Sequence, residues 1–378
     1  MKDLVKATMT PLASIFGSGF LVIVPILAGA VGPWSIGAML AVCLLAYAVG
    51  HVIRFNIQYA EPALSAPDPP RSLRLIESSS DIALVAAYVI SVCLYINILS
   101  SFLLAGLDKL HSGIDTPLHE HLVTATIIVV IGAIGFFKGL KMLENLEDIA
   151  LWITLAIILA LFVGFGMYDW RQWSAADIQW PATPPKNAWQ ILTIVGGTLI
   201  VVQGFETTRY LGAEFDSQTR IAACRWSQLI STAVYLIFIA LATPLMHFLS
   251  DSVQDNALIM LAGKAAVWLP LPLVGAAVLS QFSAAVADTM GGGGNMVEAT
   301  HQRVDTKHAY LLICAGATFL AFAPTLTILT LASKAFAFYY MLQCFVAIEV
   351  SKHTSQKIWF GLIAIILAFI TIFAVPAG

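Results

Sequence analysis

The sequence predicts an all-α membrane protein in which five helices are followed by five more and then an eleventh, with the first and sixth helices broken. Three observations carry this expectation. The 378-residue chain is 59% hydrophobic and 11% charged, with a mean hydropathy of +0.86. Apolar runs near or above the ~20 residues that a bilayer requires recur along its whole length. Glycine-weakened stretches interrupt two of these runs, the first and the sixth, which are equivalent places in a five-plus-five reading. That spacing points to inverted repeats meeting at two broken helices.

Eleven segments are expected, at about 10–31, 33–53, 81–107, 120–137, 146–168, 189–211, 221–249, 266–290, 307–324, 326–349 and 355–376. They form a single domain, with repeat one at about 10–168, repeat two at about 189–349 and an additional helix at about 355–376. Met1-Lys2-Asp3 leads into the first segment without a small-residue cleavage site, which reads as an uncleaved first span. With the N-terminus inside, thirteen lysines and arginines fall at cytoplasmic ends and four in outer loops. Basic residues favour the cytoplasmic side, so this bias predicts a cytoplasmic N-terminus in the cell (inner) membrane.

The first segment carries Ala13-Ser14-Ile15-Phe16-Gly17-Ser18-Gly19. A Gly-Ser-Gly step has weak helix propensity and can open locally, and lipid cannot satisfy the backbone groups it frees. The opening must therefore face protein or a water-filled cavity; the alternative use of such small residues is close helix packing. Pro25 adds a second weak point, and Gly32-Pro33 turns the chain into segment two. A proline-rich connection with Pro62, Pro67, Pro69 and Pro70 follows, with a short surface helix expected around Leu73 to Ile76.

In segment three, Tyr95 and Asn97 place polar groups at mid-depth. Glu144, Glu147 and Asp148, which open segment five, read as a solvated helix start. Segment six combines Gly196-Gly197 with Gln203-Gly204-Phe205-Glu206, and Glu206 lies deep enough to require a protein or water environment. Arg209 reads as an internal ion-pair partner. Segment eight carries Ala285, Asp288 and Thr289 at i, i+3 and i+4, then four glycines and Asn295. Lys334, inside segment ten, reads as too deep to reach the interface and in need of Asp288, Glu206 or an anionic ligand as partner.

Other classes are set aside. The net charge of −3 says little about partners, but the lack of a basic, aromatic-interleaved patch predicts no nucleic-acid partner, and no phosphate-cradling loop suggests a nucleotide-driven pump. The five cysteines lie in apolar segments as small hydrophobes, and no histidine pair or nucleophile–base set suggests a metal cofactor or an enzyme.

Phe16-Gly17-Ser18-Gly19-Phe20 followed by Gly32-Pro33 resembles the first-helix signature of the amino acid–polyamine–organocation superfamily. Gly204-Phe205-Glu206 followed by Gly212-Ala213-Glu214 resembles its sixth-helix signature. The resemblance covers segments one to ten and implies a LeuT-type fold and secondary active transport of an amino acid, amine or related small organic ion across the bilayer. It implies a substrate site at Gly17, Ser18, Gly19 and Phe20, where the amides of Ser18, Gly19 and Phe20 would receive a carboxylate at a helix start, with Tyr95, Gln203, Gly204, Phe205 as an aromatic gate, Glu206 and Lys334. Glu206 either ties the first and sixth helices together or binds a cationic group. The resemblance also implies a coupling site in which carbonyls of Ala13, Phe16 and Ala285 join Asp288 and Thr289. Asp288 stands where sodium-coupled members often carry a hydroxyl, so either Na⁺ or a proton is the expected coupling ion. The lysine that proton-coupled members often place on the fifth helix is absent, since the comparable position falls near Thr154. An inorganic-ion transporter or channel on the same fold, and a non-transporting receptor, are the rival readings.

Overall fold

The computed structural model describes residues 2–17, 19–108, 113–140, 145–249 and 253–377, with the side chains of 145 and 146 left aside. Ser18 of the expected substrate site lies outside the described residues. The first segment is a helix pair, α1 (Lys2–Gly17) and α2 (Ile23–Val31). Then come α3 (Ser35–Phe55), a π-turn into the short α4 (Glu61–Leu64), α5 (Arg71–Asp108), α6 (Pro117–Phe137) and α7 (Asn145–Ser174). The sixth segment is again discontinuous: α8 (Ala188–Gly196), then 3₁₀ stretches Leu199–Val202 and Phe205–Ala213. The chain ends with α9 (Ser217–Ala242), α10 (Ala257–Ala265), α11 (Pro270–Ala299), α12 (Thr306–Leu320), α13 (Thr325–Val350) and α14 (Thr354–Phe373).

This is the LeuT-type five-plus-five arrangement with an eleventh spanning helix. Eight helices among the described residues are long and apolar enough to cross a membrane. The other three segments are the two broken ones and the ninth, α12, whose 15 residues fall short of the usual span. Membrane insertion thus does not require each crossing to be one continuous helix, provided protein surrounds the interruptions.

Several element limits differ from expectation. The surface helix foreseen at Leu73 to Ile76 is the start of α5, whose 38 residues extend about 57 Å, well beyond the hydrocarbon. Proline clustering ends at Pro70, so nothing interrupts the helix from Arg71 onward. α11 likewise runs on through Gly291–Gly294 to Ala299 rather than ending near 290. Tertiary packing overrides propensity there: a Cβ on Gly293 would meet the Tyr310 ring at 2.5 Å, and one on Gly292 would meet Tyr88 Cβ at 3.1 Å. The glycines are where two tyrosines fit.

At the end of the bundle where α1 begins, a buried polar network ties six elements together. Arg209 donates to Glu77 Oε1 at 2.7 Å and to Gln343 Oε1 at 2.7 Å, as an internal ion pair. Arg220 grips Glu61 with both guanidinium nitrogens, at 3.0 and 2.7 Å, and also donates to Arg209 O. Asn56 and Ser80 complete the shell around Gln343. Each buried charge has a bonded counter-charge, which is what a low-dielectric site requires. On the same side, Asp216 and Asp305 cap α9 and α12, and the amides they accept from hold both carboxyls below the usual carboxylate range.

Candidate functional site: the two crossing breaks and the Asp288 cavity

The two interruptions cross at close range. Gly204, with φ +130°, approaches α1 so tightly that a Cβ would lie 2.7 Å from Ile15 N and from Ser14 Oγ. Gly19, with φ +147°, faces Val201, whose Cγ2 would lie 2.9 Å from an added Cβ. Gly17 sits against Ala284 of α11. These glycines therefore both free the backbone and let three strands of chain meet.

The polar groups released by the breaks find specific partners. The Tyr235 hydroxyl, from α9, donates to Val201 O at 2.6 Å and lies 3.1 Å from Ile15 O, so one side chain serves both breaks. Ser333 of α13 donates to Gly197 O at 2.7 Å and accepts from Ile200 N at 3.1 Å. Glu206, wholly buried, accepts from Gly204 N at 2.9 Å, from the Tyr340 hydroxyl at 2.6 Å and from the Gln203 side chain. Glu206 thus repairs the break in its own segment and ties it to α13, where a tie to the first helix was one of the two expected roles. Phe205 is buried and stacks on Tyr340 at 5.3 Å. Phe20 is buried and stacks on Phe238 at 4.1 Å. Val22, the residue before α2, provides no side-chain cap to its first turn. Replacing Tyr235 by Phe is expected to cost about 1–3 kcal/mol by removing the buried hydroxyl that bridges the two breaks. Thermal denaturation in detergent measures this, and a variant melting with the wild type would show that water serves those oxygens instead.

A cavity of about 350 Å³ enters from the end where α1 begins, lined by Thr10, Ser14, Tyr88, Glu147, Ser283, Asp288 and Asn295 among others. It is continued by a chamber of about 20 Å³, with which it shares Ser14, Glu147, Ser283, Ala287 and Asp288. Next along α1, α7 and α11 is a crevice of about 10 Å³ lined by Phe16, Phe20 and Leu21 among others. On the opposite side a vestibule of about 630 Å³ is lined by Pro25, Ala28, Gly29 and residues of the 181–186 and 246–254 stretches.

Of the expected coupling residues, Ala13, Phe16 and Asp288 line the small chamber together, while Ala285 and Thr289 do not. Thr289 donates back to Ala285 O at 2.7 Å within α11. The face presented to α1 and α7 is one residue out of the expected register, carrying Ser280, Ser283, Ala284, Ala287 and Asp288. One residue on a helix is 100° of rotation, enough to turn Thr289 away. Asp288 itself is buried and accepts from the Ser91 hydroxyl of α5.

Glu147 is a further correction, because it faces this chamber rather than simply opening a solvated helix. Glu147, Ala150, Leu151 and Thr154 line it together at i, i+3, i+4 and i+7. That stripe was available in the sequence as a signal. Tyr235, Ser91, Ser333 and Tyr340 carried no such signal, since each is a lone hydroxyl in an apolar helix.

Lys334 departs from expectation most clearly. Its ammonium is directed away from Asp288 and Glu206, donating to Ile372 O at 3.3 Å in the last turn of α14. Side chains lean toward their helix N-terminus, here the outer end of α13, so the lysine reaches farther outward than its backbone depth suggested. The C-terminal carbonyls of α14 supply the partner. Lys334→Met is expected to leave substrate affinity within about twofold, read by binding to the purified protein. Tyr95 is buried with its hydroxyl unpartnered among the described residues, whereas Asn97 turns back to Cys93 O of its own helix at 2.9 Å.

Comparison with known proteins agrees with this architecture. The profile of a family described as APC superfamily transporter matches residues 1–374. An "uncharacterized protein" of Aquifex aeolicus (strain VF5) is 36% identical over 380 residues, covering 98% of this chain and 91% of that protein. Crystal structures of two mutants of the Eremococcus coleocola manganese transporter superpose with TM-scores of 0.61 and 0.59 at 13% identity, covering 98% of this chain and 85% of theirs. A likeness at that identity is one of fold. With two crossing broken helices and a profile matched over almost the whole length, the chain belongs to the APC superfamily of transporters.

Proposed function

We propose that this protein is a secondary active transporter, not an enzyme, that moves an amino acid or related small organic ion across the cell membrane by alternating access. Its N-terminus is cytoplasmic on the thirteen-to-four bias of basic residues. The observation that carries the reading is the tapering path. A cavity open at the end where α1 begins reaches Asp288 and gives way to small crevices beside the α1 break, lined by Phe16, Phe20 and Leu21, while a separate vestibule lies on the other side. A solute site at the breaks with access from one side at a time is the arrangement that alternating access requires, with the repeats at about 10–168 and 189–349 moving around it.

In this reading the start of α2 receives a carboxylate, since first-turn amides and the positive end of the helix dipole both favour an anion. Gly17, Gly19 and Phe20 frame that position. Glu206, already engaged by three donors, organises the site and leaves Gly204 and Phe205 to border the solute. Asp288 takes the coupling ion, Na⁺ or H⁺, with hydroxyls of Ser14 and Ser283 and the carboxylate of Glu147 lining the same chamber.

The manganese carried by the structural neighbours favours an inorganic cation as the second reading. Among the described residues, however, no three His, Cys, Asp or Glu side chains converge as a metal-ligand set. A melting-temperature screen of amino acids, amines, organic anions and Mn²⁺, with and without Na⁺ and at two pH values, tests both, because a ligand of the folded state raises its stability. Stabilisation by a small organic solute, followed by its uptake into proteoliposomes containing only this protein, is the expected result. Stabilisation by Mn²⁺ alone would overturn the organic assignment, and binding without uptake would indicate a receptor.

A further inference from the structure

Two helix starts lie side by side on the face of the bundle where α1 begins. The Ser72 hydroxyl, in the first turn of α5, donates to Glu349 Oε1 at 2.5 Å in the last turn of α13. Leu73, buried beside it, packs with Val346 and Val350 of α13. These contacts set the start of α5 against the 351–353 corner from which α14 rises. Both starts carry cations where a helix favours anions. Arg71 and Arg74 occupy the first turn of α5, Lys357 the first turn of α14 with Lys352 just before it, and neither first turn holds an acidic residue. All four side chains are exposed, and among the described residues none of them forms an ion pair. The carboxylates around them do not neutralise the patch: Glu61 and Glu77 are held by Arg220 and Arg209, Glu349 accepts from Ser72, and Asp68 pairs with no basic side chain among the described residues.

The patch also lies at the depth of lipid headgroups. α14 has 20 residues, about 30 Å, which matches the hydrocarbon thickness and puts its first turn at the boundary. Trp359 is exposed there and donates to His51 Nδ1 at 3.3 Å, an indole held at the bilayer edge as interfacial tryptophans are. Beyond it, Ile358, Leu362 and Ile365 are exposed at i, i+4 and i+7, one apolar stripe descending from the cations.

We infer that this face is a docking surface for an anionic phospholipid. Its phosphate is held by Arg71 and Arg74 from α5 and by Lys352 and Lys357 beside α14, and its acyl chains lie along the Ile358–Leu362–Ile365 stripe. Guanidinium groups match phosphate oxygens in geometry as well as charge, and clustered basic residues at a membrane boundary attract acidic lipids. Charge and depth together select this occupant. A soluble anion would gain the cations but not the stripe, and a zwitterionic lipid the stripe without the net charge.

The test uses the purified full-length protein in detergent, titrated with dioleoyl phosphatidylglycerol, dioleoyl phosphatidylcholine or glycerol phosphate and read by native mass spectrometry. The wild type should bind phosphatidylglycerol at least about tenfold more tightly than phosphatidylcholine. Arg71→Gln combined with Arg74→Gln should cut that preference at least about fivefold. Arg303→Gln combined with Lys307→Gln removes the same charge from another exposed stretch on the same side, and should leave the preference within about twofold. Should the first pair fail to fold, Lys352→Gln with Lys357→Gln serves the same purpose. Equal losses in the two stretches would reduce the effect to general surface charge and overturn the proposal. So would an unchanged preference in the patch variants, no preference in the wild type, or glycerol phosphate binding as tightly as the lipid. None of these outcomes bears on the transport reading, which rests on the cavities.

Discussion

Asp288→Asn should abolish concentrative uptake while leaving solute binding within a few-fold of wild type. The asparagine keeps an oxygen for the Ser91 hydroxyl and nearly the same volume, so the α5–α11 contact survives. What it loses is the capacity to hold a cation or exchange a proton at the head of the cavity that opens where α1 begins. In proteoliposomes, accumulation driven by either a Na⁺ or a pH gradient should drop by at least about tenfold, equivalent to about 1.4 kcal/mol of lost driving interaction. Solute exchange at equal concentrations should continue. Full accumulation in the variant would remove Asp288 from the coupling scheme and turn attention to Glu147, which lines the same chamber.

Gly204→Ala should be the most damaging single methyl addition in the site. The residue has φ +130°, a region that L side chains rarely adopt, and the new Cβ would stand 2.7 Å from the backbone nitrogen of Ile15. Backbone strain alone costs about 1–3 kcal/mol, and the clash is with main chain, which has no rotamer to escape into. The two breaks would have to separate, taking the Tyr235 and Glu206 contacts with them. Loss of monodisperse protein on extraction, or of transport in whatever folds, is the expected readout. A variant with wild-type melting and uptake would show that the crossing has slack the distances do not suggest.

The architecture was largely legible before any coordinates because its two decisive features are local. Gly17-Ser18-Gly19 and Gln203-Gly204-Phe205-Glu206 declare themselves by glycine content inside apolar runs, and the positions of segments one and six follow from counting. The site was less legible because it depends on rotation and lean. Asp288 was recognisable as a carboxylate in an apolar segment, yet its companions on α11 turned out to be Ser283 and Ala287, one residue away from Ala285 and Thr289. Lys334 lies at a depth that argued for an internal partner, and only the outward lean of its side chain to α14 shows otherwise. Glu147 could have been recovered from its stripe with Thr154, but local polarity outweighed that pattern. Tyr235 could not, because what distinguishes it is which neighbours it has.

The Tyr235 hydroxyl carries a single hydrogen but stands within reach of two carbonyls, Val201 O at 2.6 Å and Ile15 O at 3.1 Å. It is therefore a two-position toggle. If the sixth segment withdraws, the proton is free to turn to the first, and if the first withdraws, it stays with the sixth. Neither motion leaves the phenol without an acceptor, so the donor between the two breaks stays satisfied whichever of them moves.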